Sequence, residues 1–348
     1  MNTPEDTSLS TEDFCKSVLV TGGVGFVGSH ITEALLREGS KVVIYDCFNS
    51  ETSTNVEKQE NARILRDAAE KFASIGASLS IINGDIRDPD SLARTIKEHG
   101  ITSCIHVAGM VDDRRSVKFP IEYIEINVKG TAILLDTLGK NGVKMVVQAS
   151  TRSVYGQRDD NDVYLSEAAD RRPVNPYGAS KVAADAFAHT YCYLHNMNIS
   201  LIRIFSAYGP RGRPDMIPRI LVESIVYDKP VKKYGDGNAT RTWTYISDIV
   251  SAFILALKKP QKGYVEFNAG AENSLTLNEI IDCAERACDG KKAIIEHHPV
   301  PLGDAGTVGH PCCEFIKQTL GWTPKVEVEE GLRLLYLDLL ANKDKRPS

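Results

Sequence analysis

Runs at 17–21, 41–45, 79–83, 103–106, 144–148 and 199–205 are apolar nearly throughout, whereas stretches such as 30–38 and 91–99 repeat their apolar residues with helical period. A strand that is apolar on both sides belongs to a sheet covered on both faces. Alternation of such strands with helices implies parallel strands joined by crossover helices, so the expected fold class is α/β with a doubly wound parallel sheet. After about Gly209 the rhythm breaks into GPRGRPD, YGDGN and HHPVPLGD, which predicts a smaller C-terminal lobe built from 209–239 and 271–348. The expected organisation is a flexible N-terminus over 1–15, a sheet domain over 16–208 to which about 240–270 returns, and a substrate cleft between domain and lobe.

The first apolar run continues into SVLVTGGVGFVGSHI, residues 17–31, where Gly22, Gly25 and Gly28 separate the strand from a helical pattern. Glycines at that junction allow a tight turn and let backbone N–H groups reach a pyrophosphate at the positive end of the helix. The expected guest is a dinucleotide and the expected architecture Rossmann-type. Asp46 ends the second run, where its carboxylate can accept hydrogen bonds from ribose hydroxyls or cap the next turn. As a ribose ligand it favours NAD over NADP, since a 2′-phosphate would meet like charge and no Lys or Arg follows at 47–50.

At 348 residues the chain can bury a full core, and Lys+Arg 41 against Asp+Glu 46, a formal charge of −5 with no basic block, argues against a nucleic-acid surface. No apolar stretch approaches the roughly 20 residues that span a bilayer, and MNTPEDTSLSTEDFCK lacks the order of a signal peptide, so a cytoplasmic protein is expected. The eight cysteines show no Cys-x-x-Cys pair and read as reduced thiols. His189, His195, His297 and His298 form no ligand pattern, so no metal is expected.

In NPYGASKVAADAFAHTY, Tyr177 and Lys181 are four apart at the start of a helical run and share a face. A phenol ionises near pH ~10, but a neighbouring ammonium and a nicotinium charge both favour phenolate, which makes Tyr177 a candidate base. Upstream, VQASTRSVYG places Ser150, Thr151 and Ser153 at the exposed end of a strand, where a hydroxyl could hydrogen-bond the same substrate oxygen.

Together with GDIRD, HVAG, NVKGT, AYGPRGRPDM and RTWTYISDI, these motifs resemble the extended short-chain dehydrogenase/reductase family, over about residues 16–331. The resemblance implies bound NAD⁺. Phe26 and Val27 would line it in the glycine loop, Asp85 and Ile86 would lie near the adenine, and Val107, Ala108, Gly109 and Asn127 would run along the cofactor. Thr151, Tyr177 and Lys181 match the family's catalytic trio.

Branches of the family that dehydrate or decarboxylate a sugar nucleotide carry an acid within the hydroxyl motif; here those places hold Arg152 and Ser153. The resemblance therefore points to 4-epimerisation of a UDP-sugar: Tyr177 deprotonates the C4 hydroxyl as hydride passes to NAD⁺, the 4-ketose turns over, and hydride returns to its opposite face. Ser206 stands where hexose enzymes carry Asn, and the chain there looks like uronate 4-epimerases. A hydroxyl at 206 and Arg152 could both orient a C6 carboxylate. By resemblance Arg213 and Arg241 hold the diphosphate and Asp304 contacts ribose or base. The chain departs from the family's pattern at Arg152, at Thr242 and in AGMVDDRRSVKFP. Alternatives are a UDP-glucose/galactose 4-epimerase, another nucleotide-sugar oxidoreductase or dehydratase, and a non-catalytic NAD sensor. Apolar faces near 121–138 and 177–194 imply a homodimer, or else ordinary internal core.

Overall fold

The computed structural model describes residues 15–48, 55–157, 164–299 and 309–343. Seven strands form one sheet: β1 (Ser17–Thr21), β2 (Lys41–Asp46), β3 (Ser78–Asn83), β4 (Ser103–His106), β5 (Met145–Thr151), β6 (Asn198–Ile204) and β7 (Tyr264–Ala269). They lie in the order β7, β6, β5, β4, β1, β2, β3, and every neighbouring pair is parallel. The expected α/β doubly wound sheet is therefore present. Strand order reverses at β1 and β4, the place where such sheets open a crevice at their carboxyl ends.

All five residues of β1 are buried, as the continuous apolar run requires. Their side chains alternate between faces: Val18 and Val20 join one apolar cluster and Leu19 the other. Helices α1 (Phe26–Arg37) and α2 (Asn55–Lys71), together with Ile246–Lys258, cover the first face. Helices Pro89–His99, Thr131–Lys140 and Pro176–His195 cover the second.

Segment 246–269 supplies a covering helix and then the edge strand β7. Helices Ile217–Tyr227, Leu277–Ala287 and Val328–Ala341 pack through Leu221, Ile280, Leu332 and Leu335, and these belong to the same apolar cluster as α1 and β1. The later segments thus extend the core of the sheet. The helix expected near 121–138 is present as one run that changes pitch: Pro120–Tyr123 continues into a π-helical stretch, Ile124–Gly130, and then into Thr131–Lys140.

Candidate active site

β1 ends in a turn where Gly22 takes φ +71°, and a Cβ there would lie 2.8 Å from the Ala108 backbone. At Gly28 a Cβ would come within 2.1 Å of Gly22 O, whereas at Gly25 the same contact is 3.2 Å. Two of the three glycines are thus sterically required, one by the β4 loop and one by the turn itself. Gly25 caps α1 with no side-chain bond, so the N–H groups opening the helix, from Phe26, Val27 and Gly28, meet no capping side chain. A cradle of backbone donors at a positive helix end, walled by positions that admit no side chain, fits the pyrophosphate of a dinucleotide.

Asp46 closes β2 beside this turn. Its Oδ2 accepts from Val24 N at 3.4 Å, and its Oδ1 accepts from Phe48 N at 2.9 Å and from Lys58 Nζ at 2.8 Å. Both side chains of the Asp46–Lys58 pair are almost fully buried. The positive charge absent from 47–50 reaches Asp46 from α2 instead. Asp85 holds Arg87 in a two-oxygen grip at 2.5–3.1 Å, which keeps its carboxyl below the usual range; it is about two-fifths exposed. Ile86 is buried against Gly130.

Val107 N donates to Thr21 O at 3.2 Å and Ala108 N to Thr21 Oγ1 at 3.3 Å, which fixes the start of the loop after β4. A Cβ on Gly109 would meet Asn127 Oδ1 at 3.0 Å. Asn127 itself clasps that loop: Oδ1 accepts from Met110 N at 2.7 Å, while Nδ2 donates to Met110 O at 2.9 Å and to Ser180 Oγ at 3.0 Å. In this arrangement its side chain shapes the loop.

The helix Pro176–His195 begins with Asn175 accepting from Gly178 N and carries Tyr177, Lys181 and Asp185 at successive turns. The Thr151 hydroxyl at the end of β5 hydrogen-bonds the Tyr177 phenol. Burial, with Asp113 adding to it, pushes that phenol up to about 12, while Thr151, Arg213 and Arg152 pull the other way. The cation expected to favour phenolate was Lys181. In the structure Lys181 Nζ donates to Ala149 O at 2.7 Å and faces Asp185, and the arginines are the leading cations acting on the phenol. Burial lowers the Lys181 ammonium, and Asp185 opposes that shift. Ser150 Oγ donates to Asp185 Oδ2 at 2.9 Å, so the first hydroxyl of the expected cluster is turned toward the helix.

Arg213 pairs with Asp215 at 2.5 Å, with Asp112 and the Tyr177 phenol also acting on its charge. Ser206 takes a left-handed φ of 41°, and its carbonyl accepts from Thr244 N. Arg241 stands on the strand Thr240–Thr242 and donates to Thr240 O at 2.8 Å. Asp304 lies outside the described residues. The structure thus gathers Thr151, Arg152, Tyr177 and Arg213 in one cluster beside Ser153.

Residues 18–270 match the family model of the NAD dependent epimerase/dehydratase family. The chain belongs to this family. It is 33% identical over 316 residues to a UDP-glucuronate 4-epimerase of Thermodesulfobacterium geofontis, covering 90% of this chain and 93% of the relative. A solved UDP-glucuronic acid 4-epimerase from Bacillus cereus, in complex with UDP-glucuronic acid and NAD, superposes with a TM-score of 0.81 at 29% identity, covering 93% and 99% of the two chains. DesIV, a dTDP-glucose 4,6-dehydratase from Streptomyces venezuelae with NAD and TYD bound, gives 0.83 at 26% identity, covering 94% and 98%. Against the family's motifs, this epimerase/dehydratase chain adds four residues that sequence reasoning missed. Asp185 carried a signal, its helical spacing from Lys181. Asp113 carried one as well, its place in the AGMVDDRRSVKFP departure from the family's pattern; Lys58 and Tyr123 carried none, because each reaches the site only through tertiary packing.

Proposed function

We propose that this chain is an NAD-dependent 4-epimerase of a UDP-uronate such as UDP-glucuronate, working through a transient 4-keto sugar. The observation that carries the substrate class is Arg152. Its guanidinium makes no hydrogen bond or ion pair with any described residue, and the charges acting on it are Asp113 and the Tyr177 phenol. Burial pushes this guanidinium below its usual range. A half-buried cation with no hydrogen-bonded anion leaves a place open for one, and a carboxylate arriving with the substrate would fill it. The C6 group of a uronate is such an anion, whereas the hydroxymethyl of a hexose is not.

The glycine loop and the opening of α1 would hold the pyrophosphate, Asp46 the adenosine ribose, and the Thr21-anchored loop at 107–109 the flank of the cofactor. A nicotinamide held there would supply the acceptor, and then the donor, of the C4 hydride. Tyr177 removes the C4 hydroxyl proton and gives it back, with Thr151 bonded to the same phenol oxygen. Lys181 is held by Ala149 O and faces Asp185, from where it would reach the cofactor. Arg213 would carry the diphosphate of the substrate.

The test is C4 inversion followed by NMR with UDP-glucuronate and UDP-glucose and no added cofactor. The wild type is expected to prefer the uronate, and Arg152→Ser to lose about 100-fold in kcat/KM on it while changing far less on UDP-glucose. Preference of the wild type for UDP-glucose, or free NADH with no inversion, overturns the reading.

We further infer a cytoplasmic homodimer. Ile121, Ile124, Phe187, Tyr193 and Leu194 are exposed on Pro120–Gly130 and Pro176–His195, an apolar face that a second copy would cover. None of the eight cysteines is in a disulfide, which suits a reducing compartment. Light scattering on the purified protein distinguishes dimer from monomer, and Tyr193→Glu is expected to shift it toward monomer.

A further inference from the structure

Asp113 belongs to none of the motifs, yet three anchors place it. Tyr123 OH donates to Val111 O at 2.7 Å and to Asp112 O at 3.0 Å, and Asn127 clasps Met110 on both sides. Asp112, bent to φ 92°, caps the following helix by accepting from Arg114 N and Arg115 N. A non-glycine residue keeps such a conformation only where its surroundings over-determine it. The result is that Asp113, first residue of the helix Asp113–Lys118, reaches across to the turn after β5.

There the hydroxyls form a line. Thr151, bonded to the Tyr177 phenol, donates from Oγ1 to Ser153 Oγ at 3.4 Å, and Ser153 Oγ donates to Asp113 Oδ1 at 3.3 Å. Both contacts are long for hydroxyl bonds. The phenol is faced by Thr151, Arg152 and Ser153 from the end of β5 and its turn, by Asp113, and by the Tyr123 ring with centroids 6.2 Å apart. Arg213 acts on it from the segment before Ile217–Tyr227, and Lys181 stands one turn along its own helix.

We propose that Asp113 is a positioning residue for Tyr177, anchoring the hydroxyl line that ends on the phenol and balancing the positive charge of Arg152 and Arg213. This rests on the reading of Tyr177 as the base. Two arginines and a bound nicotinium would pull the Tyr177 phenol toward ionisation against its burial, and a phenolate so stabilised is a weaker base. A group that takes a proton in one half-reaction and returns it in the next works best at intermediate strength. The carboxylate supplies the opposing charge: it disfavours the phenolate, so its removal moves Tyr177 ionisation to lower pH.

The experiment titrates the phenolate absorbance of NAD⁺-loaded protein, each form referenced to the same protein carrying Tyr177→Phe, and it uses no sugar. Asp113→Asn is expected to move the Tyr177 midpoint down by about one pH unit. Asp113→Ser, a second removal of the charge, carries the same expectation, and Asp113→Glu is expected to return the midpoint toward wild type. A wild-type midpoint that titrates but does not move in Asp113→Asn or Asp113→Ser, or that moves equally in Asp113→Glu, overturns the proposal alone. A Tyr177 that shows no ionisation below pH ~11 in the wild type overturns the reading of it as base as well.

Discussion

Lys58 holds Asp46 at 2.8 Å, and the exposures of the two side chains are 8% and 2%. The pair joins α2 to the end of β2, while the other oxygen of the same carboxylate accepts from Val24 in the glycine loop. Removing one partner of a buried pair strands the other charge, which costs far more than the pair itself contributes. Lys58→Met is therefore expected to lower stability by about 3–5 kcal/mol and to weaken NAD binding by loosening the turn. Urea unfolding and NAD titration measure the two effects; a stability change under ~1 kcal/mol would mean that Asp46 is solvated without its lysine.

The glycines of the turn are not equivalent. A Cβ at residue 28 would sit 2.1 Å from Gly22 O, a backbone atom that cannot step aside, while at residue 25 the distance is 3.2 Å. Gly28→Ala is expected to reduce NAD affinity at least ~100-fold, whereas Gly25→Ala loses roughly tenfold or less. Equal losses from the two variants, read by calorimetry, would show that backbone flexibility rather than space is what the turn requires.

The glycine turn, Asp46 and the Tyr177–Lys181 spacing were legible because each is a local relation, set by where a strand stops and a helix starts. Asp185 was legible in principle by the same helical spacing. Lys58 was not, and of Asp113 only its place in the unusual AGMVDDRRSVKFP stretch was, because both arrive from segments whose approach depends on how the loop after β4 and α2 pack. Nor did periodicity reveal the π-helical stretch Ile124–Gly130, which carries Asn127 into its clasp on Met110. Its extra residue per turn is a tertiary adjustment of the kind common at functional sites. Sharing a helix face with Tyr177 also did not reveal that the Lys181 ammonium would be held by Ala149 O and face Asp185.

Tyr123 ties the loop at 107–113 with one hydroxyl and two acceptors. Tyr123→Phe keeps the ring against Tyr177 and deletes those bonds, leaving two carbonyls short of a donor. The expected cost is about 1–2 kcal/mol in stability. A fall in kcat is also expected, since the loop carries Asp113 toward Tyr177, and a rise in KM with it, since Arg213, the diphosphate candidate, lies within reach of Asp112 and Tyr123. Chemical denaturation and steady-state kinetics check the two halves separately.

Asp185 is buried one turn beyond Lys181 and two beyond Tyr177, where it accepts from Ser150 and faces Lys181 and Arg203. Burial pushes its carboxyl up to about 6 against the pull of those cations. An acid whose folded value is raised binds more protons in the native state than in the unfolded chain over the interval between the two values. Stability contributed by that proton is full below about pH 4 and is lost as pH rises through about 6. Relative to Asp185→Asn, which does not titrate, the wild type is expected to lose ~2–3 kcal/mol over this window and to run parallel to it above pH 7. The same ionisation completes the counter-charge of Lys181, so turnover should rise where stability falls. Denaturation midpoints of the two proteins from pH 4 to 8 decide the matter: a difference that grows with the opposite sign, or stays flat, would mean that Arg203 and Lys181 hold Asp185 ionised throughout.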